Sequence, residues 1–142
     1  MSAAEPSRRL CVVTCMDARI DPLSAFGLQL GEAHVLRNAG GVVTDDTLRS
    51  LLVSQRLLGT REVMLVHHSG CGMLAVRDEE LAGAVERETG HRPPLPLGGM
   101  ASLEESVRRS LAAVRECPWL PHRDAVSGFV YELGSGELRE VT

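Results

Sequence analysis

Glu62-Val63-Met64-Leu65-Val66, followed at once by His67-His68-Ser69-Gly70-Cys71, is the stretch on which the fold turns. The first five residues are apolar on both faces after the opening glutamate. A strand that alternates would have one wet face. One that does not belongs in the middle of a parallel sheet, covered on both sides by helices. The residues that follow are of another kind. Two histidines, a glycine and a cysteine stand where such a strand would end, and in open α/β sheets sites collect at the carboxyl ends of strands.

Working outward, Leu10–Thr14 (LCVVT) is a second short β-branched run and predicts a buried strand that delivers Cys15 at its end. Asp21-Pro22 predicts the start of a helix reaching Leu30, with Gly31 as its stop. Ala33–Leu36 predicts another strand, leading into Arg37-Asn38-Ala39-Gly40-Gly41, where paired glycines call for a sharp turn or a close approach. Thr44 predicts an N-cap with Asp45 and Asp46 in the first turn. Leu48, Leu51, Leu52, Leu57 and Leu58 form the apolar face of that helix, either core or dimer contact, and Gly59 ends it. Downstream come a helix over Asp78–Thr89 closed by Gly90, and a loop at Arg92–Gly99. A helix from a Ser102/Glu105 capping box to about Glu116 follows. A strand over Ala125–Leu133, a Gly134-Ser135-Gly136 turn and a hairpin arm at Glu137–Val141 complete the order. Strands alternating with helices predict an α/β class: a mainly parallel sheet flanked by helices, with an added antiparallel C-terminal strand.

The 142 residues fit a single domain, 1–142, with residues 1–9 as a short flexible start. A net charge of -4 without a Lys/Arg run excludes nucleic acid and anionic membrane as expected partners. An aromatic content of 3% leaves no stacking platform for single strands. No apolar run nears the roughly 20 residues that span a bilayer. Met1–Arg9 is short and polar, with no signal-peptide core, so the cytoplasm is the expected compartment. Thiols stay reduced there, and the four cysteines point to metal or catalysis before disulfides.

Cys15, His68 and Cys71 are the candidate metal ligands. Two thiolates and an imidazole suit zinc, and three protein ligands leave the fourth tetrahedral position for water, as in catalytic sites. His68-x-x-Cys71 lets one turn present two ligands. Taken singly, a cysteine at a strand end is more often a small buried hydrophobe. Asp17 and Arg19 follow Cys15 by two and four residues. In isolation they read equally as a loop salt bridge. Beside a metal, Asp17 becomes a hydrogen-bond acceptor for the nucleophile, and Arg19 keeps it ionised and aimed. Cys11 is expected in the core. Cys117, His34, His91 and His122 belong to no constellation. Gly70-Cys71-Gly72 fails the dinucleotide spacing.

These residues, in this order, resemble the β-carbonic anhydrases. Cys15-Met16-Asp17-Ala18-Arg19 has the family's Cys-x-Asp-x-Arg pattern, and His68-Ser69-Gly70-Cys71-Gly72 its His-x-x-Cys-Gly pattern. Arg37-Asn38-Ala39-Gly40 lies between them as in the family. Gly128-Phe129-Val130-Tyr131 with its glycine turn is similar to the closing strands. The likeness runs from about Leu10 to Val141 and is nearest the short bacterial members.

The resemblance implies one Zn2+ per chain on Cys15, His68 and Cys71, with Asp17 and Arg19 as the catalytic dyad. It implies a four-stranded parallel sheet with an antiparallel addition, and a homodimer or higher homo-oligomer. The implied reaction is reversible hydration of carbon dioxide to bicarbonate and a proton. On the substrate side, Gly40 and Gly41 would allow close backbone approach. The Gly72 N–H, at the start of a helix, would hold a bicarbonate oxygen.

Family members usually carry a longer helical N-terminal arm than Met1–Arg9, and plant-like members supply a glutamine and aromatics that have no counterpart here. Two alternatives share the same residues: hydrolysis of carbon disulfide or carbonyl sulfide, and a non-catalytic zinc protein. A redox pair of Cys11 and Cys15 lacks the usual Cys-x-x-Cys spacing.

Overall fold

The computed structural model describes residues 4–142. Five strands form one sheet in the order β2-β1-β3-β4-β5. They are β1 Leu10–Cys15, β2 Ala33–Asn38, β3 Glu62–His68, β4 Val126–Tyr131 and β5 Leu138–Val141. β1 pairs in parallel with both β2 and β3, and β3 with β4. Only β5 runs antiparallel, on β4. The helices are α1 Pro22–Ala25, α2 Asp45–Arg56, α3 Asp78–Thr89 and α4 Leu103–Arg115.

The two central strands are the two read first from sequence. Leu65 and Val66 of β3 and Cys11 and Val12 of β1 are fully buried. One face packs Leu51 of α2 and Val107, Leu111 and Val114 of α4 against Cys11, Val13, Val63 and Leu65. The other packs Phe26, Leu28 and Tyr131 against Val12 and Val66. Burying a Leu or Val side chain stabilises by about 1.5–3 kcal/mol, so with so few aromatics these aliphatic layers carry the core. Gly128 lets α4 lie close, since a Cβ there would collide with Val107 Cγ1 and lie 3.2 Å from Leu111 Cδ1.

Four expectations need correction. The helix expected from Asp21 to Leu30 is one turn, Pro22–Ala25. Gly27 adopts φ +69 and turns the chain, so that Phe26 meets Tyr131 edge-on at 5.6 Å and Leu28 reaches the core. α2 ends at Arg56, so Leu57 lies beyond the periodic face and is 69% exposed. The capping box is half formed. Ser102 Oγ accepts from Glu105 N–H at 3.1 Å, but the Glu105 carboxylate turns to Arg109, four residues on, at 3.2 Å. The last long strand is Val126–Tyr131, shorter than Ala125–Leu133, because Glu132 already belongs to the turn before β5.

Of the start of the chain, residues 1–3 lie outside the described residues. Residues 4–9 are tied to the body: Ser7 and Arg8 donate to the carbonyls of Gly31 and Glu32 at 2.9 and 3.0 Å, and Pro6 is buried.

Candidate metal centre

β1 and β3 are neighbours in register, with Thr14 opposite Val66, so their carboxyl ends bring Cys15 beside His67 and His68. The chain then turns through Ser69 and Gly70 to Cys71. That turn is fastened to β4: Ser69 N–H donates to Tyr131 O at 2.9 Å, and Ser69 Oγ accepts from Leu133 N–H at 2.9 Å. One donor atom from each of Cys15, His68 and Cys71 lies within 4.8 Å of the others, and all three residues are buried. No other group of three such residues with this geometry occurs among the described residues.

The donors fit a zinc ion on three counts. His68 Nδ1 faces the Ser69 carbonyl at 2.8 Å, and since a carbonyl only accepts, Nδ1 carries the proton. Nε2 therefore turns a lone pair toward the two sulfurs, and it is buried with no hydrogen-bond partner. Holding one ring nitrogen to orient the other is how metal-binding imidazoles are set. Second, burial raises the Cys71 thiol above its ordinary pKa, and the nearby Cys15 and Asp17 push it the same way. A cation removes that penalty by holding the thiolate directly. Third, Gly40 N–H donates to Cys15 Sγ at 3.3 Å, a contact that favours the charged sulfur.

Asp17 and Arg19 stand at the edge of this group. Arg19 grips the carboxylate bidentately, Nε to Oδ1 at 3.0 Å and Nη2 to Oδ2 at 2.6 Å, and its own backbone N–H adds a third bond to Oδ1 at 2.9 Å. Nη2 also donates to Gly70 O at 3.0 Å, so the dyad bridges the two ligand segments. The Arg19 hydrogen bonds hold the Asp17 carboxyl well below the usual carboxylate range. Asp17 Oδ2 lies 3.7 Å from His68 Nε2.

The glycines act differently from expectation. Gly40 and Gly41 form a 3-10 turn with Ala39, at φ +87 and +67. Their close approach is to the chain itself: a Cβ on Gly41 would sit 2.8 Å from Thr14 C, and the Gly40 N–H is taken by Cys15. Gly72 opens a four-residue 3-10 turn, Gly72–Ala75, rather than a helix, so no long helix dipole stands behind its N–H. The space beside Gly72 is open.

The carbonic anhydrase family profile matches residues 10–91. Beta-carbonic anhydrase 1 of Mycobacterium tuberculosis is 47% identical over 137 residues, covering 96% of this chain and 84% of that one. The chain belongs to the β-carbonic anhydrase family. The crystal structure of a carbonic anhydrase from Streptococcus mutans superposes with a TM-score of 0.92 at 38% identity, over 100% of this chain and 86% of that one. Carbon disulfide hydrolase of an Acidianus strain is 33% identical over 158 residues, 94% of this chain and 78% of its own.

Within this family frame, some residues of the centre carried no functional reading in sequence. Arg37 had entered only as part of a motif. Its guanidinium in fact fastens the ligand loop, Nε to Cys15 O at 2.9 Å and Nη2 to Asp17 O at 2.9 Å and Ile20 O at 3.2 Å. Met73 and Met100 pack with Cys15, Cys71 and Val42 around the donors. Met73 was within reach, two residues past Cys71. Met100 follows a proline-rich loop and carries no signal. His67 is buried beside His68 and held neutral, its pKa pushed down to about 4 by burial against a weak contact with the Gly41 backbone. Neither of its ring nitrogens makes a well-formed hydrogen bond. Cys11 is core, as expected, and burial pushes its thiol up to about 11.

Proposed function

We propose that this protein is a zinc-dependent carbonic anhydrase, interconverting carbon dioxide with bicarbonate and a proton. The observation that carries the reading is the convergence of Cys15, His68 and Cys71 beside a carboxylate that Arg19 holds ionised. The 47% identity to a β-carbonic anhydrase over nearly the whole chain supports it.

Cys15, His68 and Cys71 would hold the ion, one per chain. When bound, zinc supplies a Lewis acid that brings the pKa of water to about 7. The chain's own residues do the rest. Asp17 Oδ2 accepts a hydrogen bond from the attacking water and so aims its free lone pair at the carbon. Arg19 fixes that carboxylate with its hydrogen bonds, so no reorganisation is needed during reaction. Val42, Met73 and Met100 offer the apolar wall that a small uncharged substrate needs. Gly40 and Gly41 seat their turn against Thr14 and Cys15, and the Gly72 N–H, beside open space, is offered to a bicarbonate oxygen.

A homodimer accompanies this reading. A groove of about 980 Å3 runs beside β2, which is an edge strand, between α2, α4 and the loop at Pro96–Gly99. Val42, Val43, Leu48 and Leu97 give it an apolar floor suited to a second copy. Sedimentation of the Ala113→Arg variant, on the α4 wall, should show monomers where the parent is a dimer. No described helix is long and apolar enough to cross a membrane. Four free cysteines suit a reducing compartment such as the cytoplasm.

The test is metal analysis with stopped-flow hydration of carbon dioxide. One zinc per chain is expected, with hydration that disappears on chelation and returns on reloading. Reduced protein that takes up no zinc breaks the reading. The likeness to carbon disulfide hydrolase keeps one competitor in view. Sulfide release from carbon disulfide faster than hydration of carbon dioxide would favour it. A zinc protein without chemistry would not need the gripped Asp17 carboxylate, and a measurable hydration rate removes that option.

A further inference from the structure

Between α3 and α4 the chain turns back on α3 before reaching the metal end of the sheet. Three fasteners hold it. At the outer end the Arg92 guanidinium pairs with Glu79 and, at 3.8 Å, with Glu86. In the middle Asp78 uses both carboxylate oxygens: Oδ2 accepts from Leu97 N–H at 2.8 Å and Oδ1 from Gly99 N–H at 2.9 Å. At the inner end Met100 N–H donates to Met73 O at 3.0 Å. Met73 lies in the turn that begins just after Cys71.

The inner end of this segment packs on the metal-ligand cysteines. Met100 is 3% exposed and packs with Cys15 and Cys71. Its Cε lies 3.2 Å from where a Cβ on Gly40 would be, and Met73 Cγ lies 3.1 Å from the same point. The corresponding point on Gly98 is 3.5 Å from Val42 Cγ2 and 3.6 Å from Met73 Cε. Gly99 admits no side chain, since a Cβ there would overlap the Val76 carbonyl oxygen and come within 2.8 Å of Asp78 Oδ1. Backbone and carboxylate therefore meet directly. Asp78 opens α3, yet its oxygens serve these distant amides, which hold its carboxyl below the usual range.

We propose that residues 92–100 form a strap, pinned by Asp78, that sets the width of the apolar niche beside Cys15, His68 and Cys71 by seating the Met100 side chain. Met100 is the size-determining residue, and Asp78 is a positioning residue that acts through it. The niche so bounded accepts small linear molecules and rejects bulky ones. The proposal rests on the metal reading above.

The test uses protein loaded with cobalt(II), whose visible absorption reports binding at the metal. It is titrated with azide, which is linear, and with benzohydroxamate, which is bulky. Met100→Ala should strengthen benzohydroxamate relative to azide by about tenfold, the scale on which small changes in pocket volume discriminate. Met100→Leu, similar in volume, should leave that ratio near the parent's. Asp78→Ala should shift the ratio the same way by a smaller factor, and should add nothing in the Met100→Ala background. In metal-free protein, Asp78→Ala should speed hydrogen exchange at the Leu97 and Gly99 amides, with Asp78→Asn intermediate. An unchanged ratio in cobalt-loaded Met100→Ala overturns the proposal, as do additive effects in the double variant. Cobalt-loaded variants that show the ratio shifts, while the zinc-loaded parent fails to hydrate carbon dioxide, support the strap and sink only the reaction.

Discussion

At the amino end of the sheet, His34 of β2 engages both ring nitrogens: Nδ1 with Ser54 Oγ at 2.7 Å and Nε2 with Ala4 O at 2.8 Å. Ser54 in turn meets Thr60 Oγ1 at 2.7 Å, and nearby Gln55 exchanges two hydrogen bonds with the His122 backbone, both 2.9 Å. At the carboxyl end, His68 is fully buried and engages only Nδ1. Most buried polar atoms in folded proteins find a partner, so an unpartnered one asks for an explanation. Each end of the same sheet places a histidine among polar neighbours. One closes its polar groups on each other and serves stability. The other leaves a lone pair facing two sulfurs and serves binding. Substitutions at the two ends should therefore separate, with activity lost at one and stability at the other.

The largest effect is expected for Cys71→Ala. Outer partners of metal ligands alone are worth about 10–100-fold in affinity or activity, so removing a ligand should exceed that. Zinc content should fall from one per chain toward none, and hydration toward background, by metal analysis and stopped flow. A fully active, zinc-loaded Cys71→Ala would break the comparison at its root. Asp17→Asn comes next. Zinc should stay, because Asp17 lies outside the donor group, while the hydration rate per zinc falls about 100-fold through lost aim. Full activity in that variant would remove Asp17 from the reaction.

How much of this was legible in the sequence depends on how far each signal reaches along the chain. Cys15 directly follows one apolar run and His68 follows another after a single residue, and such runs read as buried strands. Their placement at one sheet end follows once those strands are neighbours. Asp17 and Arg19 pair within two residues, so local reading sufficed. The strap shows the opposite case. Arg92–Gly99 reads as a loop because of its prolines and glycines, and nothing local says that Asp78 will accept from amides about twenty residues ahead. Met100 therefore looked like any other methionine. The same reason explains α1. The Asp21-Pro22 start and the Gly31 stop favour a longer helix, but the pull of Phe26 toward Tyr131, far downstream, is a tertiary effect. Glu105 was misread for a subtler reason: the reach back to Ser102 and the reach forward to Arg109 are both open to it, and the ion pair won.

Gly41→Ala tests whether the metal end has stability of its own to lose. Gly41 sits at φ +67, and a Cβ would come 2.8 Å from Thr14 C and 2.9 Å from Cys15 N. A non-glycine residue held in such a conformation costs about 1–3 kcal/mol before any crowding is counted. The same turn supplies the Gly40 N–H to Cys15 Sγ, so zinc affinity should fall by about tenfold as well. Urea denaturation of metal-free protein reads the first effect and zinc competition the second. A variant weakened in stability alone would show that Cys15 does not depend on this turn.

Ser54→Ala should have the smallest effect on hydration and is the sharpest control. Ser54 is 4% exposed and lies between His34 and Thr60. Removing its hydroxyl leaves His34 Nδ1 and Thr60 Oγ1 each short of a partner, a loss of about 1–3 kcal/mol where such groups are buried. His34 is only half-buried, and water can replace part of its loss, so the lower half of that range is expected. The urea midpoint should drop while hydration per zinc stays at the parent value. The reason is topological. β1 is buried from Cys11 to Cys15, and the His34 network makes no hydrogen bond to Cys15, His68 or Cys71. If hydration per zinc fell together with stability, the two ends of the sheet would be coupled, and the unpartnered Nε2 of His68 would mark a property of the whole fold rather than of one site.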